Sequence, residues 1–404
     1  MSEPGEHTRA VHTPAFTQPK QRPLGLPVYR TAAFGFDSAR EYADVLGDRA
    51  PGYSYSRIDN PTVDAFAAGV AALEGHRLDA AVVGQAFASG MAAISTVLLT
   101  FLEAGGHVVA SRELYGGTYS LLHTVLPKYG VDVTWIDVAD VEQVRAAFRP
   151  TTRVLWVETI ANPTLTVADL PALAGVAHEA GAIFCVDSTF ASPVVCRPLE
   201  HGVDIVVHSA TKYLGGHSDA TGGVAVGVPS LIDRVRALRV DLGGSLSPDE
   251  AFLLHRGLAT LPLRVLRAND SALTVASKLE GHPALERVHH PGLSSHRDHG
   301  LATRLFDTGR YGGIVTVDLR GGRDAGMAFC DRLRLAELAT SLAGTHTVVS
   351  HVASTTHRQL DDAALAAAGL SPGAVRISVG LEDADDLVAD ITQALEPGRR
   401  PPPL

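Results

Sequence analysis

The chain predicts an α/β fold, with a mostly parallel sheet in a large domain and a smaller α+β domain after it. Three observations lead there: short apolar runs recur along the first two thirds of the chain, stretches with helical spacing lie between them, and the texture changes near residue 263. Short apolar strands alternating with helices are the pattern of a parallel sheet covered on both faces.

Residues 1–60 are rich in Pro and Gly, show little periodicity, and read as an extended arm. Asn60-Pro61-Thr62 then opens a helical pattern that ends at Gly75. Asn suits an N-cap, Pro the first turn and Gly the C-terminal cap. Strand candidates follow at 80–83, 107–110, 131–136, 153–157, 182–187 and 204–207, with helical stretches such as 170–180 between them. Beyond residue 263, the runs at 314–319 and 374–379 read as strands. The division is an arm over 1–60, a large domain over 61–262 and a C-terminal domain over 263–404, with a disordered tail at 397–404.

The 404 residues, 46% of them hydrophobic, are enough for a sizeable core. A formal net charge of −10 and the lack of a basic stripe argue against nucleic acid as a partner. No apolar run has membrane-spanning length, and the start carries no secretion signal. Cys185, Cys196 and Cys330 form no CxxC pair, which fits a reduced, cytoplasmic setting. The histidines lack HExxH spacing, so no metal is expected. No GxGxxG follows a strand, which counts against a dinucleotide enzyme.

Lys212 follows the apolar run 204–207, with Ser209 and Thr211 beside it and Gly215-Gly216 after it. A partly desolvated amine there has a lowered pKa and suits a Schiff-base site. Ser209 and Thr211, two apart, would face one way in extended chain and share a phosphate. A surface lysine after a strand is the plainer reading. Asp187 ends the most apolar strand; it either meets a protonated pyridine nitrogen or caps the strand end. Ser89-Gly90-Met91 opens a helix, which offers N–H groups to a phosphate but is also an ordinary N-cap. Tyr55 and Arg57 share a non-helical stretch, where Arg57 either binds phosphate or is solvated. Tyr115 sits in a Gly-rich turn and could stack on a ligand. Arg376, in an apolar strand, needs an anion: a substrate carboxylate or an internal salt bridge.

Taken together and in order, these motifs resemble one family. They are Tyr55-Ser56-Arg57 with Asn60-Pro61-Thr62, Ala88-Ser89-Gly90-Met91, Leu114-Tyr115-Gly116, Glu158-Thr159 with Ala161-Asn162-Pro163, and Val186-Asp187. Ser209-Ala210-Thr211-Lys212-Tyr213-Leu214-Gly215-Gly216-His217, Arg256-Gly257-Leu258 and Val375-Arg376 complete them. The chain is identified as a member of the Cys/Met-metabolism family of pyridoxal 5′-phosphate (PLP) enzymes, which includes cystathionine γ-lyase, cystathionine γ-synthase and methionine γ-lyase. The resemblance runs from about residue 8 to residue 395.

It implies the PLP-dependent transferase fold type I, the aspartate-aminotransferase type, and a homo-oligomer that is a dimer of dimers. It implies that Lys212 holds PLP and shuttles protons, and that Asp187 pairs with the ring nitrogen. Ser89, Gly90, Met91, Ser209 and Thr211 bind the phosphate, with Tyr55 and Arg57 reaching it from a neighbouring subunit. Tyr115 stacks on the ring and acts as acid or base. Asn162, Ser341 and Arg376 hold the ring hydroxyl side and the substrate carboxylate.

The implied reaction is γ-elimination of a sulfur amino acid (methionine, homocysteine or cystathionine-like) to 2-oxobutanoate, ammonia and a thiol. The alternative is γ-replacement on an O-acylhomoserine. A PLP-binding regulator would need a basic DNA-binding segment that is missing. An inactive homologue would have lost Lys212, Asp187 or Tyr115. Gly117, Thr340, His346 and Ile160 depart from the family pattern, and the departures are expected at the substrate end. Loss of a Glu there points to a less polar thioether or thiol substrate.

Overall fold

A computed structural model describes residues 6–12, 20–355, 365 and 369–396. The expected tail at 397–404 lies outside the described residues. The first sheet has seven strands: β1 (Val83–Phe87), β2 (His107–Ser111), β3 (Asp132–Ile136), β4 (Thr152–Glu158), β5 (Ile183–Asp187), β6 (Ile205–Ser209) and β7 (Gly223–Gly227), in the order β1-β7-β6-β5-β4-β2-β3. Only β7 runs against the others.

Alternation along each strand feeds two cores. Leu155, Val157, Phe184, Val186 and Val206 pack on one face; Val154, Trp156, Cys185, Ile205 and Val207 pack on the other. Both faces are buried, which is why these strands read as continuous apolar runs. The helix Pro61–Glu74 covers one face, with Asn60 accepting the Thr62 N–H as N-cap and Gly75 as C-cap.

A second sheet of five strands follows: β8 (Leu285–His289), β9 (Ile314–Leu319), β10 (Glu337–Leu338), β11 (Val348–His351) and β12 (Ala374–Ser378), in the order β10-β11-β12-β9-β8. The 19-residue helix Leu261–Leu279 packs against β8 and β9 and also meets the first half of the chain.

Three expectations need correction. The residues before 61 are not wholly extended: Glu6–Val11 and Ala39–Leu46 are helical. The first strand begins where the apolar run 80–83 ends, and Ala80 and Ala81 are exposed. A Cβ on Gly84 would lie 2.5 Å from the Ala67 carbonyl, so β1 sits backbone to backbone on its helix and hydropathy misplaces it. β7 was not foreseen, because its Gly223 and Gly227 ends shorten the apolar signal.

No described helix is long and apolar enough to cross a membrane. Among the described residues, no group of three or more His, Cys, Asp or Glu could hold a metal ion.

Candidate active site

The C-terminal ends of β4, β5 and β6 lie side by side, with Glu158 in register with Asp187 and Asp187 with Val207. Ligands of open α/β sheets bind at this edge. Lys212 is one turn beyond β6, its N–H donating to the Ser209 carbonyl at 3.1 Å. Its Nζ donates to Ser341 Oγ at 2.6 Å. Burial, with help from the Arg376 charge, pushes the amine down to about 8. Ser341 has φ of 82° and Ala343 of 62°, left-handed values that strain non-glycine residues. The Ala343 N–H donates to Ser378 Oγ at 2.7 Å and helps hold this bend.

Asp187 is buried. Its Oδ1 accepts the Thr189 N–H at 2.9 Å and the Thr189 hydroxyl at 2.5 Å. Among the described residues, no hydrogen bond reaches Oδ2. Burial raises the Asp187 pKa and the two Thr189 bonds oppose it. The same Thr189 hydroxyl accepts the Ser209 N–H at 2.8 Å. Thr189 therefore links the Asp187 end of the site to the Ser209 end, a role its sequence position does not advertise.

Ser89 caps the helix Gly90–Phe101, its hydroxyl accepting the Ala92 N–H. The first N–H groups of a helix have no partner within it and carry the positive dipole end. A Cβ on Gly90 would come within 2.7 Å of Ser209 Cβ, and one on Gly223 within 2.2 Å of the Ser89 carbonyl. The helix start, Ser209 and β7 thus close into a cradle that side chains would fill. Thr211 does not continue the alternation from Ser209, because β6 ends there and a turn follows. Its hydroxyl accepts the Gly222 N–H at 3.0 Å.

Arg376, in the middle of β12, is 5% exposed. Its Nη1 donates to Asn162 Oδ1 at 3.1 Å and Nη2 to the Ser341 carbonyl at 2.8 Å. Among the described residues, its buried Nε has no partner. Among the described residues no carboxylate pairs with it, so the internal salt bridge is absent. Burial lowers this guanidinium to about 10, with partial opposition from Tyr213 and Tyr115.

Tyr115 precedes the helix Gly116–Ser120 and is about half exposed. A Cβ on Gly117 would lie 2.5 Å from its ring and 2.9 Å from Met91 Sδ. Gly117→Cys is therefore expected to displace the Tyr115 ring and cut kcat about tenfold or more, read by steady-state kinetics. An unchanged kcat would mean the ring position does not matter.

Among the described residues, no hydrogen bond or ion pair joins Tyr55 or Arg57 to Lys212. Arg57 Nη1 donates to the Val240 carbonyl at 2.6 Å, and its guanidinium lies 5.8 Å from the Tyr55 ring centre. A cavity of about 720 Å³ lies beside Thr211 and Ser341 and between the two halves of the chain. Thr340 and His346 line it, together with Asp219, Glu250 and Glu337. Ile160 does not: it is buried and bridges to Val167.

The family model for Cys/Met metabolism PLP-dependent enzymes matches residues 7–396. An L-methionine γ-lyase of Pseudomonas putida is 42% identical over 395 residues, 97% of this chain and 98% of its own. An O-acetyl-L-homoserine sulfhydrylase of Leptospira meyeri is 37% identical over 430 residues, 96% of each. A solved Campylobacter jejuni structure carrying N′-pyridoxyl-lysine-5′-monophosphate has a TM-score of 0.88 at 31% identity, over 96% of this chain and 99% of that one. The chain belongs to the Cys/Met metabolism PLP-dependent enzyme family. Its fold is the type I fold of that family, and PLP is its cofactor.

The residues present fit that cofactor. The cradle suits a phosphate, the half-buried amine of Lys212 suits an aldehyde, and Asp187 Oδ2, with no hydrogen bond among the described residues, can accept a ring N–H. Uptake of PLP by cofactor-free protein is expected to accelerate as pH rises through about 8, where the Lys212 amine becomes neutral. Stopped-flow absorbance would read this. A rise delayed to about 10.4, the ordinary lysine value, would contradict it.

Proposed function

We propose that this protein is a carbon-sulfur lyase that carries out PLP-dependent γ-elimination on a sulfur amino acid, consuming one water and releasing 2-oxobutanoate, ammonia and a thiol. The observation that carries the reading is one hydrogen-bonded chain. Lys212 Nζ holds Ser341 Oγ, the Ser341 carbonyl holds Arg376, and Arg376 holds Asn162. Amine chemistry and carboxylate binding are thus tied within one rigid unit.

Bound PLP supplies an electron sink for negative charge developing on the substrate. Arg376, which meets no anion among the described residues, takes the substrate carboxylate, with Asn162 and Ser341 fixing the guanidinium. Lys212 removes the α-proton as a general base whose amine burial brings down to about 8. It then carries a second proton away from the β-carbon. Tyr115 protonates the departing sulfur. Asp187 holds the ring nitrogen, and Ser89, Gly90, Met91, Ser209 and Thr211 hold the phosphate.

Tyr55 and Arg57 complete that phosphate site from a neighbouring subunit, in a dimer of dimers. Their exposure in a single chain supports this reading. The protein works in the cytoplasm.

Thr340 and His346 on the cavity wall favour a thioether or thiol of modest polarity. The carboxylates of Asp219, Glu250 and Glu337 on the same wall favour a substrate with a distal amino group instead. γ-Replacement on an O-acylhomoserine is the second reading, favoured by the sulfhydrylase among the relatives.

Product analysis separates them. Methionine, homocysteine and cystathionine are each incubated with the PLP-loaded protein, beside O-acetyl- and O-succinylhomoserine with and without cysteine. 2-Oxobutanoate and ammonia from the sulfur amino acids, with no capture by cysteine, support the lyase. A new Cγ–S bond formed only from an acylated homoserine would overturn it.

A further inference from the structure

Glu158 has no role in the account so far, yet its position is unusual. It ends β4 directly beside Asp187, and residues in register on neighbouring strands present their side chains to the same face. It is 6% exposed. One oxygen accepts the Tyr115 N–H at 2.6 Å, and the other accepts the Asn162 N–H at 3.0 Å. The hydrogen-bonded chain from Lys212 through Ser341, Arg376 and Asn162 therefore continues through Glu158 to Tyr115.

We propose that Glu158 is a positioning residue: its carboxylate sets Tyr115 and Asn162 on the bound cofactor and places a second negative charge beside Asp187. Two adjacent buried carboxylates are costly unless cations offset them; the charge of His208, on the next strand, eases the cost at Asp187, while Glu113 adds a further negative charge near Glu158. Burial and the Asp187 charge push the proton affinity of Glu158 well up, against the two N–H bonds. With both oxygens accepting, the hydrogen bonds suit the ionised form. A protonated ring nitrogen held by Asp187 would supply a second cation beside that of His208. Cofactor binding and the charge on Glu158 then favour each other.

This rests on the assignment of the cofactor to Lys212 and Asp187, and the test keeps the two apart. Glu158→Gln keeps the size but turns an NH₂ toward one of the two donors and removes the charge. Three readouts are taken: PLP affinity of the cofactor-free protein by tryptophan fluorescence (Trp156 lies two residues before Glu158), the pH midpoint of the visible band of the lysine-linked cofactor, and kcat against KM.

Glu158→Gln is expected to bind PLP about tenfold more weakly and to lower kcat about tenfold to a hundredfold. KM should change little, and the band midpoint should move to lower pH. Glu158→Asp keeps the charge on a shorter arm; its midpoint is expected near the wild type while kcat stays low. Wild-type affinity, midpoint and kcat in Glu158→Gln would overturn the proposal. So would losses that only track a lowered melting temperature of the cofactor-free protein with no midpoint shift. If the wild type itself takes up no PLP at Lys212, the site assignment fails instead.

Discussion

Lys212→Ala is expected to lower kcat by at least about a thousandfold, the largest effect of any single substitution in the chain. In the proposed mechanism the amine is both the attachment point and the proton carrier, so two functions are lost together. Lys212→Arg is expected to be equally inactive. It keeps the positive charge, but a guanidinium does not release its proton near neutrality. Small primary amines added to Lys212→Ala should restore a measurable part of the turnover, since they can accept the α-proton in the space left behind. Rescue by amines, with cofactor still bound non-covalently, separates a chemical defect from a folding one. A Lys212→Ala protein that kept a tenth of the wild-type kcat would contradict the role.

The second large effect is at Arg376. Arg376→Lys is expected to lower kcat/KM roughly a hundredfold, mostly through KM. A lysine carries one compact charge and cannot hold Asn162, Ser341 and a substrate carboxylate together. Arg376→Met should be weaker still in catalysis. Its melting temperature without cofactor is nevertheless expected to hold or rise. The substitution removes a buried charge that has no anionic partner among the described residues, and replacing such a charge with an apolar side chain is often neutral or stabilising. Parallel loss of stability and KM would mean that Arg376 is a structural brace.

Much of this fold was legible because local rules agree. Asn60, Pro61 and Gly75 bracket their helix as caps should, and strands buried on both faces read as apolar runs. β1 escaped because Gly84 and Gln85 sit inside it, where close packing on the Pro61–Glu74 helix outweighs hydropathy.

In the site, Lys212, Asp187 and Ser89 are signalled by what flanks them in the chain. Glu158 and Thr189 are not. Glu158 acts through a backbone N–H 43 residues away and Thr189 through one 20 residues away. Such contacts exist only after β4, β5 and β6 end side by side. The pairing of Arg376 with Asn162 spans 214 residues and needs both sheets in place. The alternation argument for Ser209 and Thr211 failed for a local reason: the strand stops at the first of them.

The measurement that tests the central claim most directly is borohydride reduction of the PLP-loaded protein followed by peptide mass mapping. The chain offers only four lysines: Lys20, Lys128, Lys212 and Lys278. The account predicts a pyridoxyl phosphate adduct on the peptide containing Lys212 and on none of the others, lost when a substrate amino acid is added before reduction. An adduct on Lys20, Lys128 or Lys278, or one on Lys212 that substrate does not displace, would contradict it.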